Sequence, residues 1–466
     1  MSAVEIVRLL NKGDVSPLDL LDALEHRVGV VDGAVNALPT VDFGKARAAA
    51  RALMARPANE RGLLAGMPVP IKDLTNVAGM RSTQGSPIFA DVVPEKSDIL
   101  VEHLEREGAI ISAKSNTPEF GAGANTFTEV FGATRNPWNT ALSAAGSSGG
   151  AAVALATGMA WLAHGSDMGG SLRNPASFCG VVGMRPTAGR VAHSCALKVD
   201  ATLGVQGPMA RTVEDCALLL DAMAGEEPGD PLSKPRPQTS FLAATRAGWR
   251  PKRVAFSPDL GVTPVDPRVV EITRRAAHRL AEAGVVVEEA HPDLSEAHDC
   301  FQTLRALSFA TSLSGLLRSH RDKLKPEVIW NIEKGLALTP DEIVEAEHQR
   351  AAMTTRALAF FETYDLLLCP TTIVPPFPVE ERYVKQCAGH VFDNYVEWLG
   401  IVYAITLICG ASVSVPAGFT SDGLPVGLQV VAPANCDARA LAGAKCLEDI
   451  LALGTLRPID PRAPAA

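Results

Sequence analysis

The sequence predicts an α/β fold in one large domain. Three observations lead there. From Pro68 onward, short apolar strands alternate with helical segments, which is the mark of an α/β protein. Residues 253–288 repeat the pattern as a βαβ unit. The chain is 47% apolar and 20% charged over 466 residues, so it holds ample material for one sizeable core. No internal repeat or low-complexity tract divides it, and the late strands have no core of their own.

Taken in order, residues 3–30 have helical periodicity, with Ser16 as N-cap and Pro17 in the first turn of a second segment. Residues 43–58 are rich in Ala and Arg, and Pro57 ends them. Met67 to Asp73 is an apolar strand with Lys72 at its end, where a lysine head ordinarily reaches water. A helix near 97–107 leads to the strand Ala109–Ala113 and the turn Asn116–Glu119. Residues 149–158 are expected to form a helix packed on all sides, Met159–His164 a strand, and Gly169-Gly170-Ser171 a turn directly after it. Val181–Gly183 and Val191-Ala192 read as further strand. Thr212 caps a helix to about Ala224. Residues 225–240 are a Pro/Gly-rich surface loop. Arg253–Phe256, Val285–Glu288, Tyr364–Pro370, Ser412–Val415 and Val426–Val431 read as strands. Residues 267–284, 295–365 and 437–452 read as helical. Four regions follow: an N-terminal helical arm (about 1–65), a core (about 66–225), a variable region (about 226–410) and closing strands and helix (about 411–455).

Composition narrows the function. A net charge of −9 argues against a broad nucleic-acid footprint. The nine cysteines include no pair at zinc-knuckle or CxxC spacing, so reduced, mostly buried thiols and a cytoplasmic location are expected. No basic start followed by an apolar run opens the chain. Two long uncharged segments, 136–166 and 398–421, are broken by Gly, Ser and Pro; each reads as a core helix plus a core strand, without the ~20 apolar residues of a membrane span.

The chemistry is concentrated in two Gly/Ser-rich stretches, Ala144-Ala145-Gly146-Ser147-Ser148-Gly149-Gly150 and Gly165-Ser166-Asp167-Met168-Gly169-Gly170-Ser171-Leu172-Arg173. No charged residue falls between Arg135 and Asp167, so this is buried backbone rather than a linker. Serine hydroxyls with glycine N–H groups suit acyl transfer. Several schemes use them. Gly146–Gly150 fits G-x-S-x-G with Ser148 as the elbow, but that motif must follow a strand. A phosphate loop lacks its Lys-Ser or Lys-Thr. A Ser-His-Asp triad could draw on His164, His193 or His390, each more often a packed or surface imidazole. In the remaining scheme Ser171 attacks, Gly169 and Gly170 shape an oxyanion hole, and a buried Lys72 serves as the base through a second serine.

Taken together, Pro68-Val69-Pro70-Ile71-Lys72-Asp73, Lys114–Phe120, Arg135–Trp138, Gly146–Gly150, Asp167–Ala176, Gly207–Thr212, Ser414–Gly418 and Gly423–Gln429 resemble the amidase signature family of serine amide hydrolases. The likeness covers nearly the whole chain and is weakest between about 225 and 365. It implies a central mixed, twisted sheet covered by helices on both faces. It implies hydrolysis of a carboxylic amide to acid plus ammonia or amine, with Ser171 as nucleophile, Ser147 after a cis bond as the relay and Lys72 as the base. Met168, Gly169, Gly170 and Ser171 then resemble the oxyanion-hole amides, while Ser148, Asp167 and Arg173 hold the loops. No metal or organic cofactor is implied, and the partner is a small-molecule amide; a homodimer is compatible with the family. One departure is Ala145 where the family has Gly, which implies that this position needs no positive φ. Pocket candidates are Gly121 to Phe127, Phe178-Cys179, the region from Phe301 to Trp330, and Tyr395 to Ile405, with Phe127, Phe301, Trp330 and Trp398 offering apolar walls. Cys179 reads as a small buried residue. The other reading is an amidotransferase component that passes ammonia to a partner in tRNA-dependent amidation. The segment Ala192–Leu197 does not match that subgroup.

Overall fold

The computed structural model describes residues 1–194, 202–453 and 457–464. Its centre is an eight-stranded mixed sheet. Across the sheet the strands run Val286–Glu289, Arg253–Phe256, Leu366–Pro370, Pro425–Ala432, Ala411–Phe419, Val182–Arg185, Val205–Ala210, Leu162–Asp167. The first three are mutually parallel and the remaining neighbours antiparallel. The 253–288 unit is therefore a parallel βαβ crossover, with Pro267–Glu282 as its helix. The two closing strands lie mid-sheet, which explains why they carry no core of their own.

Helices cover both faces. On strand Pro425–Ala432, Gln429 meets Arg173 of the helix Arg173–Cys179, and the Gly427 N–H donates to Ser177 of the same helix. Val430 points the other way, where Gly443 of Asp437–Leu451 lies against it. This is the period-2 alternation of a strand buried on both sides.

A separate three-stranded sheet carries the lysine. Strand Pro68–Lys72 pairs in parallel with Ile110–Ser115, which pairs antiparallel with Thr40–Val41. The Lys72 N–H donates to His164 Nδ1 at 3.3 Å, tying this small sheet to the edge strand Leu162–Asp167 of the large one.

Local signals explain most elements. Ser16 caps Pro17–Val35 in a reciprocal box with Asp19, and Thr212 caps Val213–Met223. The apolar segments resolve as expected into Gly149–Ala156 plus Leu162–Asp167 and Gly400–Leu407 plus Ala411–Phe419, with both helices wholly buried. No described helix is long and apolar enough to cross a membrane.

Several expectations need correcting. The strand placed at Met159–His164 begins at Leu162, because Gly158 takes a positive φ of 78° and the N–H groups of Met159 and Ala160 fold back onto Ala154 O. It then runs on to Asp167, carrying Ser166 into the site. Val191 forms only an isolated bridge with Ala224. Residues 295–365 hold three helices, Ala297–His320, Pro326–Ala337 and Pro340–Thr363, the latter two each opened by a proline in the first turn. The strand Val205–Ala210 was hidden by Gly207 and Pro208. Residues 225–240 have no helix or strand, in keeping with a loop.

Candidate active site

Lys72 is the centre of the site. It is fully buried, and its amine donates to Ser147 Oγ at 2.7 Å, Ser148 Oγ at 2.9 Å and Ser166 Oγ at 3.0 Å. It has no ion-pair partner among the described residues. Burial pulls its pKa down from 10.5 to about 7, opposed only by the more distant charge of Asp167. A second buried lysine, Lys114, sits one register position away on the neighbouring strand, but it pairs with Asp73 at 3.2 Å. Of the two, Lys72 alone is both dry and without a carboxylate partner.

The two serines of the first Gly/Ser stretch are positioned by the helix they precede. Gly149 and Gly150 open that helix under tight contact: a Cβ on Gly149 would lie 2.3 Å from Thr126 Oγ1, and one on Gly150 2.3 Å from the Asn116 nitrogen. Only glycine lets the loop close on Lys72 here. The Gly146-Ser147 peptide is cis, as the family resemblance implied. Ala145 takes a φ of +55°, so the expectation that it avoids the left-handed region is wrong. Its N–H donates to Ser143 Oγ at 3.0 Å and its carbonyl accepts from Thr126 Oγ1 at 2.8 Å, so both ends of the residue are pinned.

The second stretch is built on Asp167, which is buried. Its carboxylate accepts from the N–H groups of Gly170 (3.1 Å) and Leu172 (3.0 Å) and from Arg173 through Nε (3.1 Å) and Nη2 (2.8 Å). Arg185 adds a contact at 3.3 Å. Burial raises the Asp167 pKa, but the two guanidiniums and the N–H donors outweigh it and hold the carboxyl well below the usual range. Arg173 in turn binds Gln429 Oε1 at 2.8 Å, Val402 O at 2.9 Å and Thr406 Oγ1 at 3.0 Å, anchoring the loop to the sheet centre. The Gly170 N–H is thus committed to Asp167 rather than open to a substrate. The N–H groups of Met168, Gly169 and Ser171 have no acceptor among the described residues. A Cβ at Gly170, where φ is +99°, would lie 2.5 Å from Val402 Cγ2. Ser148 joins the two loops, since its N–H donates to Ser171 O at 3.1 Å.

Ser147, Ser166, Asp167, Met168 and Ser171 line one cavity of about 380 Å³, within the range of small-molecule sites. The other schemes lose their geometry. Both nitrogens of buried His164 are engaged, one by the Lys72 N–H and one by Gln206 Oε1 at 2.8 Å, and burial drives its pKa to about 3. His193 also lines this cavity, but its imidazole is paired with Asp230 at 3.3 Å and makes no hydrogen bond to Ser147, Ser148 or Ser171 among the described residues; His390 is paired with Glu397. No strand precedes Ser148, as an elbow requires.

The pocket expectations were mostly misplaced. Gly121 lines the cavity, and so does the helix Ala297–His320 through Leu304, Arg305, Ser308 and Phe309. Phe301 instead stacks on Tyr403 in the core, Trp398 and Phe178 are buried, and Phe127 packs under Lys325 and Arg382. Trp330 packs edge-on against Tyr395. Cys179 is a buried thiol whose pKa burial raises. Sequence reasoning assigned no role to Ser166, Arg185 or Gln429, although all three lie in or beside segments it quoted. Of the segment Ala192–Leu197, residues 195–197 lie outside the described residues.

The amidase family profile matches residues 19–441. The chain belongs to the amidase signature family. An acylamidase of Rhodococcus erythropolis is 34% identical over 465 residues, covering 99% of this chain and 97% of that protein. A glutamyl-tRNA(Gln) amidotransferase subunit of Moorella thermoacetica is 33% identical, with 98% of each chain covered. Among solved structures, a bacterial aryl acylamidase of this family superposes with a TM-score of 0.90 at 26% identity, covering 98% of this chain and 99% of that one. A substrate-bound 6-aminohexanoate cyclic dimer hydrolase gives 0.89 at 26% identity, with 99% of each covered. The fold is thus that of the family's amide hydrolases over its full length.

The conformation of Ala145 can be tested by a pair of variants. Ala145→Gly should stay within about 1 kcal/mol of wild type, while Ala145→Val should lose about 2 kcal/mol or more, because a β-branched residue tolerates neither this φ nor the packing. Denaturant unfolding of both measures the difference; equal stabilities would contradict a left-handed backbone here.

Proposed function

We propose that this amidase hydrolyses a carboxylic amide through an acyl-enzyme on Ser171. The substrate carbonyl oxygen lies against the N–H groups of Met168, Gly169 and Ser171. Neutral Lys72 takes a proton from Ser147 as Ser147 takes one from Ser171, and the Ser171 oxygen attacks the carbonyl carbon. The tetrahedral intermediate collapses as the relay returns the proton to the leaving nitrogen. Water then cleaves the ester by the reverse route, giving the acid and regenerating Ser171. The observation that carries this reading is the Lys72 amine itself: dry, without a carboxylate partner, and 2.7 Å from Ser147 Oγ in the cavity that Ser171 also lines. Ser148 and Ser166 hold the amine in place, and the Asp167–Arg173–Arg185 cluster holds the N–H groups.

A second reading is favoured by sequence relatives. The amidotransferase relative is nearly as similar as the acylamidase, at 33% against 34% identity. In that case Ser171 would still be acylated, but the released ammonia would pass to a partner protein. Turnover of simple amides by the isolated chain separates the two.

Two outcomes are expected. A fluorophosphonate should label the wild-type chain at Ser171, and Ser171→Ala should lose both the label and amide turnover, the latter by roughly 10³-fold or more; retained turnover would move the nucleophile elsewhere. The kcat/KM for a simple amide should rise with pH through about 7, because the working base is the deprotonated amine and Lys72 is lowered to about 7. A profile flat from pH 6 to 8 would remove Lys72 as the base.

A further inference from the structure

Arg305 stands in the wall of the cavity with almost none of its hydrogen-bonding capacity used. It projects from the helix Ala297–His320 and is only 6% exposed. Its Nη2 donates to the Tyr395 hydroxyl at 3.0 Å. Its Nη1 reaches only the Met168 thioether at 3.5 Å, and a thioether is a weak acceptor. Its Nε is buried and has no hydrogen-bond partner. The guanidinium lies 4.6 Å from the Phe309 ring centroid and 5.8 Å from that of Tyr395. Of the five donors of an arginine, one has a strong acceptor, and Arg305 forms no ion pair among the described residues.

The described residues around it do not supply the missing anion. Among the described residues, Asp167 is the one buried carboxylate that lines the cavity, and it is bound to Arg173 and Arg185. Glu347 lies at the exposed rim. Arg350, which also lines the cavity, donates among the described residues only to neutral groups: Leu407 O at 3.2 Å, Thr202 Oγ1 at 2.9 Å and Cys409 Sγ at 3.4 Å. The cavity therefore has two arginines without a carboxylate partner among the described residues. Arg305 could instead be a strut for Tyr395, but Asn331 already donates to that hydroxyl, and a strut gains nothing from a bare Nε. An unpaired buried charge is costly, so a guanidinium kept in this position is best explained by a charge that arrives with the ligand.

We infer that Arg305 is a specificity residue that binds a carboxylate on the substrate, so that the amide hydrolysed is a small one bearing an anionic group, of the class of dicarboxylic acid monoamides. This rests on the proposed hydrolysis at Ser171 and names its substrate class. Met168 sets the spacing: its sulfur touches Arg305 while its backbone N–H lies beside those of Gly169 and Ser171. A short substrate can therefore place its carboxylate on the guanidinium and its amide carbonyl on the loop at once. The planar fork of Arg305 matches a carboxylate in a bidentate manner. The flanking Phe309 and Tyr395 rings keep the pair dry, and Arg350 adds positive potential to the same cavity.

The test compares malonamate, succinamate and glutaramate with 4-methylpentanamide, a neutral isostere of succinamate, as substrates of wild type, Arg305→Gln and Arg305→Lys. Wild type should prefer at least one anionic amide over the neutral one by roughly 10-fold or more in kcat/KM. Arg305→Gln should lower kcat/KM for that amide at least tenfold more than for 4-methylpentanamide, mainly through KM, and Arg305→Lys should fall between. Equal losses on both substrates, or no preference in wild type, would overturn the inference while leaving the amidase reading intact. Binding isolates the anion site from the chemistry. By calorimetry, whichever of the three monoamides binds Ser171→Ala most tightly should bind it at least tenfold more tightly than Ser171→Ala carrying Arg305→Gln. Equal binding would overturn the inference even if no amide were turned over.

Discussion

The structure depends on keeping one lysine amine out of water without giving it a carboxylate. Burial alone costs a charged ammonium dearly, and most buried lysines recover part of that cost from an anion, as Lys114 does from Asp73. Lys72 is offered three serine hydroxyls instead. Hydroxyls can accept from an ammonium or donate to an amine, so they favour neither charge state strongly. Desolvation then decides, and it decides for the neutral form near pH 7. The same choice has a consequence for stability. Between about pH 7 and 10.5 the unfolded chain binds a proton at this lysine that the folded chain does not, so the cost this group places on folding is greatest below pH 7 and is relieved progressively as pH rises through that window.

Next to this dry amine, the charges of the Asp167 cluster are paired in place. Asp167 takes two guanidiniums and two backbone N–H groups, and Arg173 continues the chain of contacts to Gln429 at the middle of the sheet. That cluster fixes the turn from Met168 to Leu172 to the strand Pro425–Ala432 and the helix Gly400–Leu407. The small sheet bearing Lys72 and the large sheet bearing Asp167 meet at the edge strand Leu162–Asp167, so the site lies where two sheets join rather than within either. Its precision comes from strands and a wholly buried helix.

Much of this was legible in the sequence, and the gaps have physical causes. The uncharged interval from Arg135 to Asp167 marked the buried loops, and the caps at Ser16 and Thr212 marked helix starts, because those signals are local. The burial of Lys72 was not legible from its strand, where a terminal lysine ordinarily reaches water; it depends on a strand and loops that come far later in the chain, from Ser147 to Ser166. The pocket walls were misassigned for the same reason. Phe301 and Leu304 are neighbours on one helix, yet Phe301 turns to Tyr403 in the core while Leu304 and Arg305 face the cavity. Periodicity shows that a helix has faces, and only the packed structure shows which face meets the serines. Ala145 misled in the opposite direction: an alanine is expected to avoid positive φ, and here hydrogen bonds from both neighbouring segments hold it there.

The charge state of Lys72 is the point on which the account stands. Selective 13Cε labelling of lysine, with chemical shifts followed from pH 5.5 to 11, reads it directly. The resonance that disappears in Lys72→Met should titrate near pH 7 in the wild-type chain. If that resonance instead titrates above about 10, in the ordinary lysine range, Lys72 is an ammonium at neutral pH and cannot accept the proton from Ser147.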